Sequence, residues 1–327
     1  MRLLKLVPDD TNIDFLKWRK LASAMSFILV AISIALVAVK GLNLGVDFVG
    51  GQSVRVEFSG AMPPIDQIRE KVSAIGLGEP TIQQFGSDKA VSIRTALPEG
   101  DKTVADRAGR QLVAGIQKAF PTAHTGSVET VSGKVSGELI STGALSLALA
   151  MLGISIYIWI RFEWQFGVGA LGRLFHEVAL TFGFFAVTQL QFDLNSIAAL
   201  LTIVGYSLND TIVVYDRVRE NLKKYRKMDI VPLLNLSINE TLSRTVMTSV
   251  SVLLALAMLL IFGPDVIFGF TAAMLFGVFV GTYSSILMST PVLVWLKVGS
   301  DSFIPRTTAA NEGAERVTRK EDDGAVV

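Results

Sequence analysis

The sequence predicts an α-helical integral membrane protein with six transmembrane helices and a small α+β domain between the first two of them. Half of the 327 residues are hydrophobic, 18% are charged, and the mean hydropathy is +0.49. Soluble domains of this length rarely reach such values. Six apolar runs have about the 20 residues that a hydrocarbon core requires. Charges, turns and alternating apolar residues are concentrated between the first two runs, where they indicate a folded domain.

The chain begins with a polar segment, 1–20, which is followed by the first apolar run at 21–39. This run has 19 uncharged residues between Lys20 and Lys40, and no small-residue cleavage site follows it. A secretory signal peptide has a shorter apolar region and ends at such a site. We therefore interpret 21–39 as a retained transmembrane helix.

The segment 40–137 has the pattern of a folded α+β domain. Residues 53–60 alternate apolar and polar side chains as a half-buried strand does, and 64–75 and 101–119 have helical spacing. TIQQFG and AVSIRTAL are interpreted as a strand pair, and SVETVSG as a last strand. The predicted order is β-α-β-β-α-β, which indicates a ferredoxin-like domain with two helices on one face of a sheet.

The other five spans lie within 138–296. Their approximate bounds are 139–160, 165–189, 194–215, 245–263 and 267–296. The last segment, 297–327, is polar and lacks periodicity, so we expect it to be a disordered tail.

Lysine and arginine residues predict the orientation of the spans. Three of them precede span one between Lys17 and Lys20, and six follow span four between Arg217 and Lys227. The hairpins after spans three and five have none. Because positively charged loops stay in the cytoplasm, we expect both termini there and 40–137 on the outer side.

Composition excludes several classes of function. The chain has no cysteine, so disulfides, thiol nucleophiles and thiolate metal sites are excluded, and its two histidines cannot form a multi-histidine metal site. A net charge of +1 gives no broad affinity for nucleic acid. Tyr215-Asp216 fits one half of an intramembrane aspartyl protease pair, but no G-x-G-D partner lies on a neighbouring span. We therefore expect no enzymatic activity, no metal and no cofactor.

One charged residue, Asp210, lies inside the apolar run between Asp193 and Asp216. A carboxylate in lipid costs several kcal/mol unless it has a partner or a function, so it marks an ion or proton path by default. The next apolar run opens with Arg244, after a loop of roughly 25 residues. Two helices joined in this way run antiparallel, so we expect Asp210 and Arg244 on the same side of the bilayer, close enough to pair.

Further polar residues accompany Asp210. A face of its own helix that can hold water and relay a proton carries Thr202, Tyr206, Ser207 and Asn209. Span three adds Glu177, which is four residues after Arg173 and can pair with it on one face. Two interpretations stay open at this point, a proton path and polar groups that hold helices together. For Glu177, pairing with Arg173 is a complete structural explanation.

Four segments resemble the signatures of the SecF subunits of the SecD/SecF family, which belongs to the RND superfamily. They are VGYSLNDTIVVYDRVREN at 204–221, GVDFVGG at 45–51, RFEW at 161–164 and NETLSRTVMTS at 239–249. The likeness extends over essentially the whole chain to about residue 298, and the first and last of these segments are highly specific.

The resemblance implies a six-span half-transporter of RND type in the bacterial inner membrane. It implies a heteromeric complex with SecD, attachment to the SecYEG channel and an unfolded preprotein as substrate. Proton motive force would drive the periplasmic domains to pull or hold the preprotein after the ATP-driven push by SecA. Asp210 would carry the proton, with Arg244 beside it. Glu177 is our own third candidate for the path, since it does not match the family pattern.

We also expect the GVDFVGG segment to couple the spans to the outer domain, through Gly45, Asp47, Gly50 and Gly51. Two adjacent glycines just beyond span one permit a sharp entry from helix to sheet. A simple bend without a coupling role is the alternative. The chain departs from the family at His176-Glu177, where His-Asp is usual.

Two other functions stay open. An RND-type efflux half-transporter for small molecules would share the architecture, although the outer segment has under 100 residues and no evident large pocket. A passive assembly subunit would use its intramembrane charges only to fix helix register.

Overall fold

A computed structural model describes residues 7–8, 11–85, 87–98 and 102–298. Within these residues the chain is mostly helical, with six helices long and apolar enough to cross a membrane and one four-stranded antiparallel sheet. The predicted tail lies outside the described residues from 299 onward.

The helices and longer strands follow one another along the chain in this order. They are α1 (Arg19–Lys40), α2 (Val46–Val49), β1 (Gly51–Phe58), α3 (Ile65–Ser73), β2 (Thr81–Phe85), β3 (Ser87–Thr95), α4 (Lys102–Ala119), β4 (Ala123–Val131), α5 (Gly133–Arg161), α6 (Trp164–Thr188), α7 (Leu194–Lys224), α8 (Ile230–Phe262), α9 (Phe268–Leu287) and α10 (Ser289–Trp295).

The sheet has the strand order β2-β3-β1-β4, and every neighbouring pair is antiparallel. Val54 and Val56 of β1 point towards the core of this domain, as their alternation with polar residues predicts. Ile68 of α3 and Leu112 of α4 pack against them and are fully buried. The two helices therefore cover one face of the sheet.

Helices α6, α7 and α9 form the centre of the membrane bundle, and α1, α5 and α8 lie outside them. Two buried apolar clusters hold the bundle together, one around Phe166 and Tyr215 and one around Phe185 and Ile203. Small residues let the helices approach. A Cβ atom on Gly277 would lie 2.5 Å from Cγ1 of Ile203, so α7 and α9 touch at this glycine.

The connection between α7 and α8 is residues 225–229, which is much shorter than the loop of roughly 25 residues that the apolar runs predict. Both helices continue beyond their apolar parts because their polar ends bind each other. The Nε atom of Arg217 lies 2.7 Å from the Glu240 carboxylate, and Asn221 donates to the same carboxylate at 2.6 Å. These contacts supply partners to polar side chains that a hydropathy profile assigns to a loop.

The predicted span 267–296 is divided into α9 and α10 at Met288. Pro291 explains the division, because proline has no backbone N–H and cannot continue the hydrogen bonding of the preceding turn. The hydroxyl of Tyr215 on α7 donates to the carbonyl oxygen of Ser289 at 3.1 Å, which attaches the start of α10 to the bundle.

Candidate functional site

A buried polar cluster lies where α6, α7 and α9 meet. Its centre is the guanidinium of Arg173, whose side chain is 1% exposed. Arg173 donates to the hydroxyl and the carbonyl oxygen of Ser207 on α7, at 2.5 and 2.8 Å. It also donates to the hydroxyl of Ser284 and the carbonyl oxygen of Gly281 on α9, at 2.9 and 2.7 Å. One side chain of α6 thus joins three helices.

Glu177 is the acidic partner of Arg173, one turn further along α6. Its Oε1 atom lies 2.9 Å from a guanidinium nitrogen and accepts hydrogen bonds from Ser207 and Ser284 at 2.5 and 2.6 Å. The other oxygen, Oε2, is buried and has no hydrogen-bond partner among the described residues. It is unusual for a buried carboxylate to have one oxygen with several partners and one with none, because buried acceptors normally have hydrogen-bond partners.

Asp210 lies on α7, one turn after Ser207 and on the same side of the helix. Its side chain is buried, as predicted for a residue with a function inside the membrane. Among the described residues, no hydrogen bond or ion pair reaches its carboxylate. The nearby charges that act on it are those of Arg173 and Glu177. The acid is therefore buried next to an ion pair of which it is not a member.

Arg244 does not pair with Asp210 in this structure, contrary to the predicted contact. Asp210 is 14 residues before the end of α7, and Arg244 is 14 residues after the start of α8. At 1.5 Å per residue both lie about 21 Å from the connection, so the expected common depth is correct. The two side chains differ in their surroundings, however, because Asp210 is buried and Arg244 is exposed. It lines a cavity of about 590 Å³ together with Asp216 and Glu240.

The predicted polar face of α7 is divided in the structure. Ser207 is buried beside Asp210, and Tyr206 is half-buried with its hydroxyl near Ser249 of α8. Thr202 and Asn209 are exposed on the outside of the chain, which corrects their assignment to the surroundings of Asp210. Their spacing from Asp210 allowed the same face, but the packing of α7 between α8 and α9 leaves these two positions uncovered.

His176 forms a second polar contact in the bundle. Its Nε2 atom lies 3.0 Å from the hydroxyl of Ser26 on α1 and 3.0 Å from the hydroxyl of Tyr283 on α9. Its Nδ1 atom is buried and has no hydrogen-bond partner among the described residues. The imidazole thus joins α1 to the centre of the bundle.

The two glycines of the GVDFVGG segment are required by the backbone. Gly50 and Gly51 have φ angles of 76° and 116°, which side chains of L-residues rarely allow. A Cβ atom on Gly51 would also lie 2.6 Å from the carbonyl oxygen of Thr95. The chain therefore turns sharply from α2 into β1, as predicted, because neither position has a side chain.

Asp47 and Gly45 attach the same segment to the start of α7. The Asp47 carboxylate accepts a hydrogen bond from the backbone N–H of Leu194 at 3.0 Å. The backbone N–H of Gly45 donates to the carbonyl oxygen of Phe192 at 2.8 Å. The first N–H groups of a helix have no partner inside the helix, so Asp47 satisfies one that would otherwise be bare. The helix that carries Asp210 is thus capped from the linker to the sheet domain.

Asn43 extends this connection to the sheet domain itself. Its side-chain nitrogen donates to the Gln83 side chain of β2 at 2.6 Å and to the carbonyl oxygen of Gln189 at 2.8 Å. Arg94 of β3 donates to the carbonyl oxygen of Leu44. Burial lowers the pKa of Arg94, yet an arginine remains charged at physiological pH. The sheet domain and the turn between α6 and α7 therefore share one linker.

Helix α9 contributes polar groups to the cluster that were not among the predicted site residues. Ser284 and the carbonyl oxygen of Gly281 bind Arg173, and Tyr283 binds His176. The available signal was the run of four polar residues from Thr282 to Ser285 within the predicted span 267–296. Among the described residues, no three histidine, aspartate or glutamate side chains are grouped as a metal site would require.

Comparisons with known proteins agree on one family. Residues 111–299 match the family described as "Protein export membrane protein SecD/SecF, C-terminal", and residues 35–62 match the "SecD/SecF GG Motif". The chain is 43% identical to the protein translocase subunit SecF of Cereibacter sphaeroides over 301 residues, which are 90% of this chain and 93% of that protein. It is 40% identical to the SecF subunit of Rickettsia akari, over 89% of this chain and 94% of that protein.

Two solved structures are similar to the whole fold. The crystal structure of SecDF from Thermus thermophilus, described as a translocon-associated membrane protein, has a TM-score of 0.80 and 33% identity and covers 88% of this chain. A structure of SecDF in a super-membrane-facing form has a TM-score of 0.62 and 30% identity over 98% of this chain. The chain spans 39% and 42% of these two SecDF chains.

Proposed function

Because the chain belongs to the SecF subunits of the SecD/SecF family of protein export membrane proteins, we propose that it uses proton motive force to promote protein translocation. Its proposed partners are SecD, with which it forms a heteromeric complex, the SecYEG channel with SecA, and an unfolded preprotein. It acts as a transporter subunit, and not as an enzyme. The solved SecDF chains are more than twice as long as this one, which supports a second subunit as its partner.

The observation that carries the proposal is the buried carboxyl of Asp210. It has no bound partner among the described residues, although it lies beside the Arg173–Glu177 ion pair in the centre of the bundle. Such an acid in the membrane interior is costly and marks a site where a proton binds and leaves. Arg244 remains a predicted member of the path, and in this conformation it lines the neighbouring cavity.

The proposed mechanism is a two-state change of the bundle. Binding of a proton removes the charge of Asp210, which alters its interaction with Arg173 and Glu177 and lets α7 shift against α6 and α9. Each charge that crosses the membrane supplies about 2.3 kcal/mol per 100 mV, enough to change a conformational equilibrium by more than tenfold. The capping of α7 by Asp47 and the contacts of Asn43 would carry the shift to the sheet domain.

We also propose the orientation and location of the chain. It lies in the bacterial inner membrane as half of an RND-type assembly, with both termini in the cytoplasm and the sheet domain in the periplasm. The strand order β2-β3-β1-β4 with two helices on one face supports a ferredoxin-like domain there.

Asp210→Asn tests the function. In membranes that contain SecD, SecYEG and SecA, this variant should assemble normally and lose the stimulation of export by proton motive force, because asparagine cannot exchange a proton. Asp216→Asn is the matched control. Asp216 is an acid on the same helix, but it is half-exposed and pairs with Arg161 at 2.9 Å, and its variant should keep the stimulation.

The outcomes separate the three functions. Full stimulation by Asp210→Asn at normal expression would remove this residue from the proton path. If the variant instead fails to assemble with SecD, the acid has a structural role, as in a passive assembly subunit. Accumulation of small molecules that depends on Asp210 while export is unaffected would indicate an efflux half-transporter.

A further inference from the structure

The charges buried in the bundle do not balance if every acid is ionised. Among the described residues, the buried acids and permanent cation of the bundle are Glu177, Asp210 and Arg173. Two acids therefore share one cation. An uncompensated charge in a low-dielectric interior is strongly unfavourable, so such groups neutralise by binding or releasing a proton. The neutral state of this cluster has one proton on its two carboxyl groups.

The hydrogen bonds of Arg173 place its charge between the two acids. It binds Glu177 directly, and it binds both the hydroxyl and the carbonyl oxygen of Ser207, one turn before Asp210. Two further bonds to α9 hold the guanidinium in this position. Arg173 cannot move towards one acid without losing bonds to another helix, so its charge is fixed relative to both.

The atoms that can hold the proton are also defined. The Oε1 atom of Glu177 already accepts two hydrogen bonds and lies 2.9 Å from a guanidinium nitrogen of Arg173, whereas Oε2 is buried and has no hydrogen-bond partner among the described residues. Asp210 is a buried residue, and its carboxyl has no bound partner among the described residues. The available positions are thus Oε2 of Glu177 and the carboxyl of Asp210, on the two helices that Arg173 joins.

We propose that Arg173 is the shared counter-cation of Glu177 and Asp210, so that these two carboxyl groups hold one exchangeable proton between them. Arg173 is a positioning residue, because it holds the positive charge between the two carboxyl groups. The inference rests on the proposed function in one respect, namely that the shared proton is the one that drives export. Arg173, Glu177 and Asp210 then form a three-residue unit rather than an isolated Arg173–Glu177 ion pair. In this unit the ionisation of each acid depends on that of the other.

Other titratable groups face this unit from the helices around it. Tyr206 on α7 faces Asp210, and Tyr283 on α9 faces Glu177. His176 on α6 contacts the hydroxyls of Ser26 and Tyr283 and has no acidic partner within the described part of the chain, so we count it as neutral beside Arg173. On α8, the hydroxyl of Ser249 is buried near Tyr206, and Arg244 is exposed.

Infrared difference spectroscopy can count the protonated carboxyl groups directly. The sample is the full chain with its SecD partner in liposomes, titrated through neutral pH. The wild type should show the carbonyl band of one buried protonated carboxyl. Glu177→Gln should lose this band, because Arg173 then neutralises Asp210 alone. Arg173→Gln should approximately double it, because neither acid then has a cation.

The result for Glu177→Gln decides the inference. If the wild-type band persists in this variant, Asp210 stays protonated even though Arg173 no longer has another acid to neutralise. The shared-proton unit is then refuted. An unchanged band in Arg173→Gln would refute it as well. If Arg173→Gln fails to assemble, Glu177→Gln suffices, since glutamine has nearly the shape of glutamate. Arg173→Lys keeps the charge and should restore the wild-type band.

The pH dependence of export gives a second measurement. The pH of half-maximal proton-driven export should fall in Glu177→Gln and rise in Arg173→Gln. Removal of one neighbouring charge should shift this pH by about 1 to 3 units. A purely structural role would lower activity at every pH and leave the midpoint unchanged. If the infrared pattern is found but export is not proton-driven, the unit is retained and the proposed function fails. If export is proton-driven but the infrared pattern is absent, the proposed function is retained and the shared-proton unit fails.

Discussion

At the scale of single residues, the direction of a side chain decided more than its position along the helix. Asp210 and Arg244 lie at the same depth, but one is buried between helices and the other is exposed. The cation that does lie near Asp210 is Arg173, four residues before Glu177 on another helix. Spacing in the sequence correctly predicted that Glu177 can pair with Arg173, whereas the packing of the helices determined which cation lies near Asp210.

Asp47 provides a residue-scale prediction. Replacing it with alanine removes the acceptor for the Leu194 N–H at the start of α7. Loss of such a cap should cost about 1 kcal/mol and speed hydrogen exchange in the first turn of α7 by roughly fivefold. Asp47→Asn retains an acceptor and should remain close to the wild type. Equal exchange in wild type and Asp47→Ala would show that the bond contributes nothing to the stability of the helix end.

At the scale of elements, close packing of α7 and α9 sets the geometry around the polar cluster. The row Ala273, Gly277 and Gly281 has the spacing of a helix contact face, and a Cβ atom on Gly277 would overlap Ile203. Because Ile203 is buried, it has little room to move. The row therefore fixes the distance at which Ser284 and Gly281 of α9 reach Arg173.

Gly277→Ala should destabilise the bundle, and Gly205→Ala is its matched control. An added methyl group in a packed interface typically costs about 1 to 3 kcal/mol. Gly205 lies in the middle of α7 with no atom near the added Cβ, so alanine there should be neutral or stabilise by up to about 1 kcal/mol. Thermal unfolding of the purified chain in detergent measures both. Equal melting temperatures for the two variants would mean that the interface relaxes without cost.

At the scale of the whole molecule, the side of the membrane on which the sheet domain lies can be tested with single cysteines, because the natural chain has none. Glu57 is exposed in β1, and Lys227 is exposed between α7 and α8. In cells with a permeabilised outer membrane, Glu57→Cys should react with a membrane-impermeant maleimide. Lys227→Cys should react only after the inner membrane is opened. The reverse pattern would invert the proposed orientation.

Much of the architecture could be predicted because it depends on local composition. The lengths of the apolar runs predicted six long helices, and alternation in 53–60 predicted the first strand of the sheet. The burial of Asp210 was predicted in the same way, since a single charge within a long apolar run must lie in the membrane interior. The need for Gly50 and Gly51 at a sharp turn was equally local.

The sequence by itself therefore determined the class of protein, the number of spans, the presence of a small sheet domain and the one acid that lies alone in an apolar run. Tertiary structure decided which helix faces meet, and thus that Arg173, rather than Arg244, is the cation beside Asp210. It also decided that α7 and α8 continue to Lys224 and from Ile230. The reason is physical. Hydropathy reports how each segment partitions between water and lipid, whereas the partners of a side chain depend on the rotation and packing of helices that are distant in sequence.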